Sequence, residues 1–177
     1  MAGYNAPLRD IEFVFNELAD LGPILSLIGE DYTPELVSSV MTEAGKIAED
    51  VMAPLNHPGD KQGAKLENGK VRTADGWQAA YDTLVEGNWL GLPVPQEFGG
   101  MGLPWLVNAA VFELWTASNM SFSLCGMLTQ GATHAIISCG SEEQKAKYLP
   151  KMVTGEWAGT MVLTEAGAGS DLGALRT

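Results

Sequence analysis

The stretch of this sequence best suited to holding an anionic ligand is residues 164–171, which read Thr-Glu-Ala-Gly-Ala-Gly-Ser-Asp. It places two glycines, Gly167 and Gly169, beside hydroxyl and carboxylate side chains, directly after a β-prone run. Because glycine has no Cβ, the backbone N–H groups of such a bend can approach a ligand closely, and pyrophosphate suits them. A tight turn without any ligand fits the same local pattern, so both interpretations stay open here.

Two familiar catalytic and nucleotide-binding motifs do not fit this bend. A dinucleotide fingerprint requires Gly-x-Gly-x-x-Gly, but counted from Gly167 the last position is Leu172. A nucleophile elbow requires Gly-x-Ser-x-Gly, whereas Ser170 lies in Ala-Gly-Ser-Asp-Leu. Glu165 follows the β-prone run, where an acid is more often a hydrogen-bonding group than a base. The pattern argues against a Rossmann site, a serine hydrolase and a catalytic Glu165.

The composition narrows the possible partners. The 177 residues carry 10 Lys+Arg against 22 Asp+Glu, and a net charge of -12 repels nucleic acid and anionic membranes. Cys125 and Cys139 lie in apolar segments and are predicted to be buried free thiols. With only His57 and His134 available, we predict no metal site, and His134 is predicted to be a core residue. No apolar run reaches the roughly 18 residues of a membrane span, and we expect a cytoplasmic protein.

Two amphipathic helices are predicted before residue 56. The first is expected to be an appendage, and its apolar residues recur at helical spacing: Leu8, Ile11, Phe15 and Leu18. The second begins with Thr33 as N-cap and Pro34 in its first turn, and is expected to end near Pro54.

The next segments are predicted to contain less regular structure. Residues 56–72 are polar and are predicted to be a surface loop with an Asn-Gly turn. Asp75 and Gln78 have capping-box spacing for a helix that Gly87 would close. Residues 90–104 are too rich in Gly and Pro for a regular element and are expected to form an ordered loop.

The last third of the chain is predicted to hold the core helices. Residues 105–118 and 121–140 are apolar nearly all round, which is typical of buried helices. Five residues at the start of the second stretch or directly before it are expected to fill the core, although they would also suit a cavity: Met120, Phe122, Leu124, Met127 and Leu128. Ser141 and Gln144 form a capping-box pattern, and a β-prone run follows Gly155. The predicted fold class is all-α, ending in the first strand of another unit.

Three motifs together identify a family resemblance. They are QEFGGMGLP, GSEEQKAKYLPKMVTGEW and MVLTEAGAGSDLGALRT. In this order and at these spacings the chain resembles the acyl-CoA dehydrogenase family from about Asp31 onward, and its opening resembles an extra helix of the family's larger branch. The resemblance implies an extension at 1–30, the helical N-terminal domain at 31–156 and the start of a middle β-domain at 157–177. The chain is therefore expected to be a fragment.

The resemblance also implies a flavin site. Relatives bind FAD along the segment that matches 161–170, so the cofactor-binding residues would be Met161, Val162, Leu163, Thr164, Gly169 and Ser170. Backbone groups and the Thr164 hydroxyl would bond the isoalloxazine edge, where donors stabilise the negative charge that develops on reduction. Ala166 replaces the usual Pro, and Met161 replaces a residue that is often aromatic.

An acyl-CoA site is implied next to the flavin site. By the same resemblance its residues would be Ser123, Leu124, Met127, Gly131 and Ser170. Gly131 stands where relatives have a bulkier residue, so the pocket would be wider unless a neighbouring side chain fills the space.

The implied activity is α,β-dehydrogenation of an acyl-CoA thioester with electron transfer to an electron-transfer flavoprotein. The base in relatives is a Glu of the C-terminal domain, so no catalytic residue is assigned here and the chain alone is expected to be inactive. The full-length protein would be a homo-oligomer. The alternative from another class is a helical protein-interaction module without flavin.

Overall fold

A computed structural model of the chain describes residues 3–177, and Met1 and Ala2 of the predicted 1–30 extension lie outside the described residues. The structure is mostly helical, which confirms the predicted fold class. The helices are α1 (Leu8–Phe13), α2 (Leu21–Ser26), α3 (Pro34–Lys46), α4 (Ala53–Gln62), α5 (Trp77–Glu86), α6 (Trp105–Cys139) and α7 (Glu142–Val153). The strands are β1 (Lys65–Glu67) and β2 (Lys70–Arg72). A π-helical turn, Val14–Leu18, extends α1, and 3-10 turns span Trp89–Gly91, Gln96–Phe98 and Leu172–Ala174.

Helices α3 and α4 form one long rod. As predicted, Thr33 is its N-cap, and the Thr33 hydroxyl accepts from the Leu36 N–H at 3.2 Å. The expected end near Pro54 is wrong, because a π-helical turn at Ile47–Met52 carries the helix onward into α4. In the widened turn the N–H of Ala53 bonds the carbonyl of Ala48, five residues back. Such a turn accommodates a proline, which has no N–H to donate and whose ring crowds the preceding turn.

Residues 56–72 are more ordered than the predicted loop. Their first part belongs to α4, and the rest forms the antiparallel hairpin of β1 and β2. The predicted Asn-Gly turn is confirmed, since Asn68 and Gly69 have φ of 51° and 76°, as a two-residue hairpin turn of type I′ requires. The capping box at Asp75 is wrong: α5 has Gly76 as N-cap, and Asp75 pairs with Arg72 at 2.8 Å instead.

Helix α6 is folded back on itself. Its backbone leaves the helical region at Asn119 (φ −157°, ψ 86°), which confirms two helical stretches, here called the proximal arm (105–118) and the distal arm (120–139). Residues that meet across the two arms form pairs at increasing sequence distance from the kink. These pairs are Thr116 with Ser123, Phe112 with Gly126, Asn108 with Gln130, and Trp105 with His134. The arms are therefore antiparallel neighbours.

The hydrophobic core lies between the rod, the proximal arm and α5. Trp115 is fully buried at its centre, and its indole N–H donates to the carbonyl of Ala44 on the rod at 3.2 Å. The apolar faces of α1 and α2, with Ile11 and Phe15, join the same core. The opening segment is thus packed against the body of the domain.

No β-strand is present among the described residues that follow helix α7. Helix α7 begins with the predicted capping box, in which Ser141 and Gln144 bond each other's backbone N–H groups. Residues 158–164 then run without regular structure, and the only bridge beyond them in the described part of the chain joins Glu165 to Ala168. A strand needs a hydrogen-bonded neighbour, and no described element lies beside this β-prone run to supply one.

Candidate functional site

The distal arm presents an open apolar stripe. Met120, Leu124, Met127 and Gly131 follow each other at intervals of four, three and four residues, which places them on one helix face. Met120, Leu124 and Met127 are 59%, 44% and 41% exposed. The core filling predicted for these three is therefore wrong, whereas Phe122, on another face, is buried as predicted. The outward face of this arm has no described element packed over it.

Gly131 leaves empty space at the end of the stripe. A Cβ placed there would meet no described atom within 4 Å. No described side chain fills the room that the missing side chain leaves, so the surface is open at Gly131.

Ser123 lies beside the stripe and not on it. Its side chain is buried, its hydroxyl donates to the carbonyl of Met120 at 3.0 Å, and it lies 3.4 Å from the hydroxyl of Thr116. The hydroxyl thus faces the kink between the arms, apart from Leu124, Met127 and Gly131.

Asn119 positions the distal arm. Its buried side-chain carbonyl accepts from the N–H of Phe122 at 3.2 Å, which caps the arm's first turn, and its amide donates to the carbonyl of Met52 at 3.1 Å. The kink is thereby fixed to the end of the π-helical turn. Sequence reasoning missed this residue, although a lone Asn between two apolar helical stretches is a typical cap.

A second polar link holds the arms together. The Asn108 amide donates to the Gln130 side-chain carbonyl at 3.0 Å, and the Gln130 amide donates to the carbonyl of Leu90 at 3.2 Å. Asn108 and Gln130 are both buried, and hydrogen bonds between buried side chains specify one arrangement of the arms. The stripe is therefore displayed on a rigid support.

The final segment crosses the distal arm at Gly159. Its N–H donates to the hydroxyl of Thr129 at 3.1 Å, and a Cβ there would lie 2.5 Å from the Cβ of Ala132. Only glycine permits so close a crossing. Thr129 is buried and lies on the side of the distal arm away from Met120 and Leu124, so the crossing is not on the stripe itself. The predicted flavin segment begins just after this crossing.

Residues Met161 to Thr164 keep their backbone groups available. Met161 is 66% and Val162 90% exposed, and among the described residues none of these four backbones makes a hydrogen bond. Free donors and acceptors in an extended run suit the edge of a planar heterocycle. The segment therefore fits the flavin contacts that the sequence implied.

The glycine-serine bend is also open. Glu165 and Ala168 exchange backbone hydrogen bonds of 2.9 and 3.2 Å, which closes a tight turn. A Cβ at Gly167 or Gly169 would meet nothing within 4 Å, and Ser170 is exposed. The bend leaves room for a phosphate to approach the backbone.

Glu165 is engaged in closing the segment that follows it. Its carboxylate accepts from the hydroxyl and N–H of Thr177 at 2.6 and 3.1 Å and from the N–H of Arg176 at 3.1 Å. The hydrogen bond from the Thr177 side chain, followed by that from the Arg176 backbone, lowers the pKa of this carboxyl below its ordinary 4.5. An ionised, hydrogen-bonded carboxylate is a poor candidate for a base that must accept a proton near neutral pH.

The predicted environments of the cysteines and of His134 need correction. Cys125 and Cys139 are free, as expected, but both are exposed, and so is His134, which meets the Trp105 ring edge-on at 5.3 Å between centroids. The reason is again the uncovered outer surface of the distal arm. Cys125 lines a cleft of about 410 Å³ beside α5, and partial burial raises the pKa of its thiol, so the reactive thiolate is disfavoured.

Residues 3–177 contain neither a candidate metal cluster nor a candidate membrane span. No group of three or more His, Cys, Asp or Glu side chains comes together there in a way that could hold a metal ion. No helix in that range has the length and apolarity needed to cross a membrane.

Curated relatives are similar over nearly the whole chain. It is 44% identical over 176 residues to 3-methylmercaptopropionyl-CoA dehydrogenase of Ruegeria pomeroyi, covering 98% of this chain and 30% of that protein. It is 33% identical over 179 residues to a butyryl-CoA dehydrogenase of Syntrophomonas wolfei, covering 98% and 29%. The chain thus spans about 30% of the length of these relatives.

Solved structures share the fold. Butyryl-CoA dehydrogenase from Megasphaera elsdenii matches with a TM-score of 0.67 at 20% identity, covering 82% of this chain and 36% of that one. A structure described as the electron transferring flavoprotein of Acidaminococcus fermentans matches with a TM-score of 0.66 at 24% identity and the same coverage. At these identities the likeness supports the fold alone.

A family profile covers most of the helical body. The profile described as "Acyl-CoA dehydrogenase, N-terminal domain" matches residues 38–156, which contain most of the rod, α5, both arms of α6 and α7. This chain therefore belongs to the acyl-CoA dehydrogenase family.

Proposed function

We propose that this chain is the N-terminal part of an FAD-dependent acyl-CoA dehydrogenase. It would supply one wall of the acyl site and one strip of flavin contacts. The boundaries expected from the sequence, 1–30, 31–156 and 157–177, are retained in this proposal, as is the cytoplasmic location. The observation that supports it is the open backbone of 161–164, which makes no hydrogen bond to a described residue and follows the point where Gly159 is fixed to the distal arm.

The stripe is suited to an acyl chain. Leu124 and Met127 would pack against methylene groups, each of which contributes about 0.8 kcal/mol when it leaves water. The open space at Gly131 would admit additional carbon or sulfur atoms at that end of the acyl chain. Ser123, which faces the kink, would act by holding the arms in place.

The terminal segment is suited to the cofactor. Bound FAD would accept the hydride that leaves the β-carbon of the acyl group. Backbone groups of Met161 and Leu163, the hydroxyl of Thr164 and the bend at Gly169 and Ser170 would hold and orient the cofactor, with Ser170 also near the acyl-CoA. Electrons would then pass to an electron-transfer flavoprotein, and the complete enzyme would be a homo-oligomer.

No residue of this chain is assigned as the base that removes the α-proton. The single carboxylate in the flavin segment proper, Glu165, is held by Arg176 and Thr177. We therefore expect the 177-residue chain to show no acyl-CoA-dependent dye reduction. Such activity in a pure preparation would contradict this part of the proposal.

Ligand titration followed by NMR tests the binding surfaces separately. FAD at millimolar concentration is expected to shift the backbone amides of 161–164 and 167–170, and butyryl-CoA those of Leu124, Met127 and Gly131. A Leu124→Ser variant should lose the second set of shifts and keep the first. Shifts confined to other surfaces, or none with either ligand, would contradict the proposal and favour the interaction module.

A further inference from the structure

The methionines of this chain divide sharply by exposure. Three of those that the structure describes are buried, at 0% to 6% exposure: Met41, Met52 and Met152. Met101 is half-buried against the core. The remaining three are 59%, 41% and 66% exposed: Met120, Met127 and Met161. The most exposed methionines of residues 3–177 therefore all lie on the two surfaces proposed to bind ligands, the stripe and the segment 161–170.

The apolar character of the stripe depends mainly on two thioethers. Met120 and Met127 lie on either side of Leu124 on one helix face, and Gly131 contributes no side chain. Two of the three side chains that this surface offers to an acyl group thus end in a sulfur and a methyl group. Methionine adapts to irregular apolar ligands because its side chain is unbranched and polarisable. The same sulfur atom is a site of oxidation.

A peroxide converts such a thioether into a sulfoxide. The sulfur lone pair attacks one peroxide oxygen, so that an S–O bond forms and the O–O bond breaks. Sulfur is oxidised by two electrons, and hydrogen peroxide is reduced to water. The product side chain is polar and chiral, and it no longer offers an apolar surface. On the stripe this would place one polar group on each side of Leu124.

The frame that carries the stripe does not use these sulfur atoms. The distal arm is held by the cap at Asn119 and by the link between Asn108 and Gln130. To this frame Met120 contributes its backbone carbonyl, which accepts from the Ser123 hydroxyl. Oxidation of the exposed sulfurs should therefore change the surface of the arm and leave its fold intact.

We propose that Met120 and Met127 form a reversible oxidation site, at which hydrogen peroxide lowers the affinity of the stripe for an acyl chain. This regulation rests on the proposed function, because it acts on the proposed acyl site. Methionine sulfoxide reductases would restore the thioethers and with them the apolar surface. Met161 is oxidised as well, but its backbone groups would hold the flavin, so its sulfoxide does not affect the stripe.

Peptide mass spectrometry tests which sulfurs react. The chain is used in a Cys125→Ser, Cys139→Ser background, because both exposed thiols would also consume peroxide. During treatment with hydrogen peroxide, sulfoxide is expected to form at the three exposed methionines at least about tenfold faster than at the three buried ones. Circular dichroism should show unchanged helical content. Equal rates in the folded chain, or loss of the fold once Met120 and Met127 are oxidised, overturn the proposal.

An NMR titration with butyryl-CoA tests the consequence for binding. Oxidation of the background chain should raise the dissociation constant, followed at Leu124 and Gly131, at least about fivefold, since apolar contact area is lost. Treatment with methionine sulfoxide reductases of both stereospecificities should reverse the increase. An unchanged dissociation constant after complete oxidation overturns the proposal.

Leucine variants assign the effect to the stripe. Each variant is compared with its own untreated sample, so that its basal affinity does not enter the comparison. Met120→Leu with Met127→Leu has no sulfur on the stripe, and peroxide should leave its dissociation constant within about twofold of the untreated value. Met161→Leu is the matched control and should respond as the background chain does. An equal response in the double variant and the control overturns the proposal.

The proposed function and its regulation fail in different ways. If the untreated chain binds no butyryl-CoA on the stripe, the proposed acyl site is wrong and this regulation with it. If the untreated chain binds butyryl-CoA and the oxidised chain binds it equally well, only the regulation is wrong.

Discussion

The two arms of α6 have similar apolar sequences and different surroundings. On the proximal arm Val107, Val111, Leu114 and Trp115 are fully buried, whereas on the distal arm Met120, Leu124 and Met127 are exposed. The proximal arm is enclosed by the rod, the N-terminal segments and its own partner arm. The distal arm uses one side against the proximal arm and α5 and leaves the other open.

This difference shows what an apolar helix does and does not reveal. A helix that is apolar all round predicts burial in the completed assembly, but the pattern does not say which molecule or domain provides the cover. For the proximal arm the cover is this domain. For the distal arm we propose that acyl-CoA and the flavin-binding parts of the enzyme complete it.

The largest expected difference in stability is between truncating a buried residue of the proximal arm and truncating an exposed residue of the distal arm. Trp115→Ala should lower the free energy of unfolding by about 3–5 kcal/mol, because it leaves a cavity and removes the hydrogen bond to Ala44. Met127→Ala, as the matched control on the open arm, should change it by less than about 0.5 kcal/mol. Urea denaturation checks both. Comparable losses in the two variants would contradict the contrast between the arms.

Removing the kink residue should have the next largest effect. Asn119→Ala deletes the cap on Phe122 and the bond to Met52, and should cost about 2–3 kcal/mol of unfolding free energy. Asn119→Ser keeps a capping oxygen and should recover about 1 kcal/mol of that loss. Thermal and urea unfolding provide the measurement. If both variants were as stable as the wild type, the kink would not depend on Asn119.

A smaller effect should follow from filling the crossing at Gly159. Gly159→Ala places a methyl group against Ala132 and should cost about 1–2 kcal/mol through overpacking. In an Ala132→Gly background the same change should cost less by about 1 kcal/mol. Strictly additive losses would show that the two residues do not meet. Hydrogen exchange at 158–164 reports whether the segment detaches.

The smallest effect concerns the loop closed by Glu165. Because its pKa is lowered in the fold, its contribution is present above the ordinary 4.5 and is lost as the pH falls through the lowered folded value. Thr177→Val removes the largest cause and should raise the pKa of Glu165 towards 4.5. Carboxyl NMR titration measures this shift. A pKa unchanged by the substitution would exclude the hydrogen bond from Thr177.

Local signals in the sequence predicted many of the helix boundaries and turns. The caps at Thr33 and Ser141, the Asn-Gly turn and the division of α6 into two stretches each depend on a few neighbouring residues, and the structure confirms them. The Gly167 bend was also recognisable from its composition, because a tight turn without side chains is a local property.

Features set by distant contacts could not be predicted in the same way. The π-helical turn lets the rod pass Pro54, and its end bonds Asn119 across 67 residues of sequence. Asp75 pairs with the hairpin in place of capping α5. The exposure of Cys125 and His134 depends on which side of the distal arm meets another element, and periodicity cannot specify this when the helix is apolar all round.

The back-to-back arrangement of the α6 arms also affects how the chain reaches its native state. The pair nearest the kink, Thr116 and Ser123, closes a loop of only 7 residues, and the Asn108–Gln130 pair closes one of 22. Such contacts can form outward from Asn119 in sequence, each requiring only a slightly longer loop than the last. This helical hairpin can consequently act as an early folding unit that presents its methionine-rich side to the surroundings from the start. As long as that side is uncovered, it is a surface through which newly made chains can associate with one another.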